Sequence, residues 1–150
     1  MELRAEIMIN APADAAWAVV GEGFGQIGQW AVPITASSMD GELAIGAIRT
    51  CQVASFGPFA PGVVEERLMV FDPNAMSLEY DSTAGLPAFV RSAVNRWSVH
   101  AQSEMTCLVR MARDARATRT NATAGRVCRS EATRRSCSRP ARVAVVGRQN

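Results

Sequence analysis

Hydrophobic and polar positions alternate with period two at the start of the chain, where Leu3, Ala5, Ile7 and Ile9 interleave with Glu2, Arg4, Glu6 and Met8. Successive side chains of a strand point to opposite faces, so this run predicts a half-buried strand. Asn10-Ala11-Pro12 ends it, and Pro12 suits the first turn of a helix, where its missing N–H leaves nothing unpaired. Ala16, Trp17 and Val20 predict a short helix over Ala13–Val20, broken by Gly21, Gly23 and Gly25. Phe24, Ile27 and Trp30, three apart, predict a second short amphipathic piece that Pro33 closes. Period two then returns. Gly41 predicts a turn between Ser37–Asp40 and Glu42–Ala44. Strands are expected at Ala47–Val53, Val63–Phe71, Met76–Ser82, Ala93–Ala101 and Met105–Met111. The Gly- and Pro-bearing loops Ser55–Gly62 and Thr83–Phe89, and turns at Asp72–Asn74 and Gln102–Glu104, separate them. A strand, two short helices and then six consecutive strands predict an α+β fold with an antiparallel meander.

The pattern then stops. After Leu108 the chain runs on for 42 residues without Leu, Ile, Phe, Tyr or Trp. Charge divides at the same place: residues 1–109 hold five Arg against twelve acids, net −7, and residues 110–150 hold eleven Arg against Asp114 and Glu131, net +9. A segment with so little to bury cannot offset the entropy of ordering its backbone. Residues 1–111 are therefore expected to form the domain, and residues 112–150 an Arg-rich tail that is disordered or derived from a frameshift. The chain has no Lys among its sixteen basic residues, which suggests a GC-rich gene. Out-of-frame translation of such a gene yields Arg, Ala, Thr, Ser, Gly, Pro and Cys, the tail's own composition. The rival reading is a basic arm for nucleic acid, which depends on the tail being authentic. Such arms usually mix Lys with Arg and often carry aromatics for stacking, and this one has neither.

Composition excludes several function classes. No run of 18 apolar residues indicates a membrane span. The acid-bearing N-terminus lacks the basic and apolar regions of a signal peptide, so cytoplasmic residence is expected. Cys51, Cys107, Cys128 and Cys137 include no C-x-x-C pair, and His100 is the only histidine, so no metal site is expected. Neither G-x-x-x-x-G-K-[ST] nor G-x-S-x-G occurs, and no cofactor is expected.

Several strings occur in an order that resembles the START-like (SRPBCC, helix-grip) superfamily of polyketide cyclases and dehydrases, lipid-transfer domains, plant allergens and abscisic-acid receptors. They are Ile9-x-Ala11-Pro12 followed by Trp17, then Phe24-Gly25-x-Ile27-x-x-Trp30, then Gly46-Ala47-Ile48-Arg49. Glu66-Arg67-Leu68 with Phe71-Asp72, Ser77-Leu78-x-Tyr80, Pro87 and Asn95-x-Trp97-x-Val99 follow. The resemblance spans residues 3 to about 111. It implies a curved antiparallel sheet of about seven strands, with two short helices after strand one, gripping a long C-terminal helix over a ligand cavity. Here the chain departs from the family, because 112–150 show no 3.6-residue apolar period.

If Glu66 faces the concave side, as the resemblance implies, alternation places Val64 and Leu68 there too. Arg49, Cys51 and Val53 share a face of the preceding strand, Leu78, Tyr80 and Ser82 of the next, and Ala93, Asn95, Trp97 and Val99 of the one after. The candidate ligand-binding residues are thus Arg49, Cys51, Val53, Val64, Glu66, Leu68, Leu78, Tyr80, Asn95 and Trp97. Mostly apolar walls with a few polar groups are the usual make-up of a small-molecule site. Arg49 with Glu66 reads either as a cross-strand ion pair that sets register or as a polar anchor for a ligand carbonyl or carboxylate. The expected partner is a hydrophobic, partly oxygenated small molecule. A cyclase or dehydratase remains the alternative, with Glu66 and Arg49, or Tyr80 and Asn95, as its acid–base pairs. An apolar face without its helix is an association liability, so a homodimer covering it is a further expectation.

Overall fold

A computed structural model of the chain describes residues 1–55 and 60–118. Seven antiparallel strands form one sheet: β1 (Glu2–Ile9), β2 (Ile34–Met39), β3 (Ile48–Val53), β4 (Gly62–Asp72), β5 (Ser77–Ala84), β6 (Val90–Ser103) and β7 (Thr106–Ala117). Their order is β1-β7-β6-β5-β4-β3-β2, so β2 to β7 form a meander and β1 closes onto the far side of β7. The expected fold class is the one observed.

The helical connection between β1 and β2 has three geometries, interrupted at Gly23 and kinked at Gln26. Pro12 stands just before helix α1 (Ala13–Trp17), as its N-cap, and its carbonyl accepts the Ala16 N–H. Of the expected breaks, Gly21 is not one, since the run widens there into a π-helical turn over Ala18–Glu22, and Gly23 is, ending that turn as its C-cap. A Cβ on Gly21 would collide with the Trp17 ring, so the glycine is required by the packing of that indole. A 3-10 segment, Phe24–Gln29, follows. Its three residues per turn are what the Phe24, Ile27, Trp30 spacing matches, and Phe24 and Ile27 are buried.

Ala13, Ala16 and Trp17 of α1, with Phe24, pack on Leu68, Leu78, Tyr80, Val99, Cys107 and Val109 of the sheet. Trp17 stacks on Phe71 at 5.6 Å between ring centres. Phe71 reaches this face through a bulge: the β4–β5 register steps from Leu68↔Tyr80 to Val70↔Glu79, so Phe71 lies opposite Leu78. Simple alternation from Leu68 would have put Val70 inward, and Val70 is exposed.

Three expectations change. Glu42–Ala44 is not a strand; Gly41 to Ala47 is an irregular loop. β7 does not end at Met111: it runs to Ala117, with Ala112 opposite Arg4 and Arg96, and Asp114 opposite Glu2 and Val94. Backbone pairing on both sides orders this stretch without large apolar side chains. Finally, β1 is not half-buried, since Leu3 and Ile7 are 49 % and 61 % exposed. β1 is the sheet's edge, and only its Ile9 end packs against the core. No helix among the described residues is long and apolar enough to cross a membrane. Residues 119–150, with Cys128 and Cys137, lie outside the described residues, as do residues 56–59 of the Ser55–Gly62 loop.

Candidate functional site

Register places the candidate residues on one face. Arg49 lies opposite Glu66, Cys51 opposite Val64, Leu68 opposite Tyr80, Tyr80 opposite Asn95, and Leu78 opposite Trp97. Directly opposed residues of a ladder share a face, so all of these point to the side covered by the helical segment. Val53, opposite Gly62, continues the row. His100 has the opposite parity and shares a 2.9 Å hydrogen bond with Ser98 on the outer face.

The centre of this face is a buried cation. Arg49 is 2 % exposed, and its Nε and Nη2 donate to the same Glu66 oxygen, Oε2, at 3.0 and 2.5 Å. Nη1 donates to the Phe24 carbonyl oxygen at 2.6 Å. The guanidinium carbon lies 3.9 Å from the centre of the Phe24 ring and 4.8 Å from that of Tyr80, and the two rings meet edge to face at 5.5 Å. A desolvated cation between two aromatic rings gains cation–π attraction in addition to its ion pair. The Cys51 thiol donates to the same Glu66 oxygen at 3.6 Å.

Neither acidic hydrogen nearby is easily lost. Burial pushes the Cys51 thiol from 9.0 up to about 11, with the Arg49 cation offsetting part of the effect. Burial raises the Tyr80 phenol above its ordinary 10.0, and the Glu66 charge adds to the rise. Both stay protonated at neutral pH, so Cys51 presents no thiolate nucleophile. The Tyr80 hydroxyl accepts a hydrogen bond from Trp97 Nε1 at 3.3 Å. Trp97 in turn meets Trp30 edge to face at 5.8 Å, and Trp30 is 40 % exposed. Two buried polar atoms lack a hydrogen-bond partner among the described residues: Ser82 Oγ, opposite Glu66, and Trp17 Nε1.

Among the described residues, the pocket found on this face is a small one. The space between the helical segment and the sheet is about 10 Å³, bounded by Phe24, Ile27, Trp30, Arg49, Tyr80 and Trp97, with Val20, Gly23 and Leu78. That is room for one water at most. The Arg49 guanidinium and the Phe24 ring fill what an apolar wall alone would leave empty. Cys51, Leu68 and Leu78 are consequently packed core, while Trp97 stands where the face opens toward Trp30. A trough of about 690 Å³ lies on the opposite side, lined chiefly by outward residues of β1, β5, β6 and β7. The exposed ion pairs Arg4–Glu2, Arg110–Glu6 and Arg96–Glu79 occupy it, so the charge it offers is already paired. The inner face is the better candidate despite its smaller space. Sequence reasoning assigned Phe24 and Ile27 to the core and missed that Phe24 supplies both a ring and a carbonyl to Arg49. The Phe24-x-x-Ile27-x-x-Trp30 spacing was the available signal.

The family described as polyketide cyclase / dehydrase and lipid transport matches residues 1–138. The chain belongs to that family. The match agrees with the START-like resemblance of the sequence and extends beyond Met111, where that resemblance ended. Major latex-like protein 151 from Panax ginseng superposes with a TM-score of 0.68 at 16% identity, over 79% of this chain and 80% of that one. The Zhui aromatase/cyclase from a Streptomyces species gives 0.68 at 14% identity, over 79% and 69%. Norcoclaurine synthase from Thalictrum flavum gives 0.63 at 14% identity, over 77% and 68%. These likenesses establish the helix-grip fold. No curated protein matches the chain.

Proposed function

We propose that the chain binds a hydrophobic, partly oxygenated small molecule against the inner face of its sheet, entering between Trp30 and β1. One observation carries this reading: around the Arg49–Glu66 pair, a mainly apolar face holds a few further inward polar groups, Asn95, the Tyr80 hydroxyl and the Ser82 hydroxyl without a described partner, beside the half-buried indole of Trp97. Indole gives a flat apolar wall, and an amide both donates and accepts. Arg49 and Glu66 serve as the polar floor of the site, and Cys51, Val53, Val64, Leu68 and Leu78 as its apolar walls. Their packing to about 10 Å³ means that ligand entry displaces the Phe24–Trp30 side.

A polyketide cyclase or dehydratase is the second reading, supported by the family and by the fold shared with the Zhui aromatase/cyclase. Binding without chemistry fits the geometry better. Glu66 is engaged by Arg49, and Tyr80 is a weakened acid, so neither is poised as a general base or acid near neutral pH.

Calorimetric titration with 2-naphthol and naphthalene tests the binding reading. 2-Naphthol should bind more tightly; Asn95→Ala should abolish that preference, and Trp97→Ala should weaken both probes by about tenfold. Absence of binding by either probe, or binding indifferent to both substitutions, overturns it.

For residues 112–150, an Arg-rich composition with neither Lys nor aromatic residues favours out-of-frame translation over a nucleic-acid-binding arm.

A further inference from the structure

We propose that two copies of this chain associate through β1, pairing their edge strands antiparallel about a two-fold axis at Ala5. The inference is independent of the ligand reading above.

The two edges of the sheet are unlike. β2 has six residues, follows Pro33 directly and carries a bulge between Ile34 and Ala36. Proline, a bulge and short length are three of the devices by which proteins keep an edge from pairing; charged side chains are another, and those of β1, Glu2, Arg4 and Glu6, are of both signs. β1 has none of the first three. It has eight residues without Pro or Lys, and its register runs unbroken from Glu2↔Asp114 to Ile9↔Cys107. No described strand pairs its outer side. It also exposes Leu3, Ile7 and Met8, at 49, 61 and 55 %. The chain's own remaining residues are poor candidates to cover these, having no Leu, Ile, Phe, Tyr or Trp after Leu108.

The charge pattern selects the partner and the register. A two-fold axis perpendicular to the sheet keeps both inner faces on the same side, so outward residues oppose outward residues. Centring the axis on Ala5 puts Arg4 of each copy opposite Glu6 of the other, and Leu3 opposite Ile7. Centring it on Arg4 would oppose Arg4 to itself and Glu2 to Glu6. Centring it on Glu6 would oppose Glu6 to itself. Like charges directly opposite are destabilising and unlike charges favourable. Centring the axis on Leu3 also opposes Arg4 to Glu2 but leaves Glu6 to Ile9 unpaired, so Ala5 is the choice that combines unlike charges with pairing along the whole strand. The existing pairs, Arg4 with Glu2 at 2.6 Å and Arg110 with Glu6 at 2.8 Å, are exposed and exchange at little cost. The interface is edge to edge, in contrast to the face-to-face dimer expected from the missing helix.

Sedimentation equilibrium of the full chain decides the matter. The parent chain should be dimeric. Arg4→Glu and Glu6→Arg should each raise the dimer dissociation constant by about tenfold or more. An equal mixture of these two variants should recover a heterodimer, because the acidic strand of one then faces the basic strand of the other. Ile7→Lys, at an exposed position outside the charge pairs, should weaken association without loss of folding by circular dichroism. It remains decisive if a charge variant fails to fold. A monomeric parent chain, a dimer that survives Ile7→Lys, or a mixture of folded charge variants that stays monomeric overturns the proposal.

Discussion

Arg49 shows how one residue can organise a site. Its guanidinium has lost its water, and the Glu66 carboxylate and the Phe24 carbonyl replace it. Burying an ion pair gains little net stability, because desolvation cancels most of the attraction, whereas removing one partner leaves an uncompensated charge. Glu66→Ala should therefore destabilise the fold by about 3–5 kcal/mol, read from urea unfolding. The Coulomb term is discounted little for solvent, since the two side chains are 2 % and 13 % exposed. Replacing both residues by apolar ones of similar volume should restore most of the loss. A Glu66→Ala effect within the scatter of a surface substitution, below about 0.5 kcal/mol, would mean that the pair is not the buried unit described here. Alternation in the sequence sufficed to place Arg49 and Glu66 on one face and left open whether they pair structurally or wait for a ligand. What alternation could not supply was the third contact, because Phe24 arrives from a different element twenty-five residues away.

At the scale of elements, the sequence was most legible where period two is uninterrupted and least where the register slips. β3, β5 and β6 were legible to within a few residues, together with the shared face of Tyr80, Asn95 and Trp97. β4 was legible as a strand, yet its bulge after Leu68 exchanges Val70 for Phe71 in the core, and nothing in the alternation announces it. β7 beyond Met111 was missed because its order comes from backbone pairing with two neighbours, which composition does not report. Its Arg113 lies opposite Asn95, so the strand brings a basic residue to the inner face that the domain boundary at Met111 had excluded. The β5–β6 connection depends on one glycine. Gly85 has φ +77, and a Cβ there would run into the Val63 carbonyl oxygen. Backbone strain and collision act together, so Gly85→Ala should cost about 2 kcal/mol or more. Gly41 also has positive φ, +83, but a Cβ meets nothing there. Gly41→Ala should cost about 1 kcal/mol, from strain alone. Unfolding midpoints of the two variants compared side by side check the argument; equal losses would mean that the approach to Val63 is not a constraint.

At the scale of the whole molecule, the mismatch is between a sheet that leaves inner-face apolar residues exposed at β1 and a C-terminal sequence with little apolar side chain to offer them. Leu3 and Ile7 remain exposed on that face, and Val127, Val143, Val145 and Val146 are the largest aliphatic residues after Met111. The family match runs to residue 138, and β7 keeps its pairing to Ala117, so the chain stays on the family's course at least through its last strand. Out-of-frame translation beginning after Ala117 would account together for eight Arg in the last 33 residues and for the lack of any Leu, Ile, Met, Phe, Tyr or Trp among them. A basic arm accounts only for the charge. The coding DNA from codon 111 onward, read in the other two frames, should then encode an amphipathic helix with Leu, Ile, Phe or Trp every three to four residues. A chain carrying that segment should protect the β1 and β7 amides in hydrogen exchange and bind 2-naphthol more tightly than the chain as it stands. The arm predicts the reverse pair of results. Neither frame would encode a helix of that kind, and the present chain would bind duplex DNA with an affinity that falls steeply as salt rises, because each Arg that neutralises a phosphate releases a counterion.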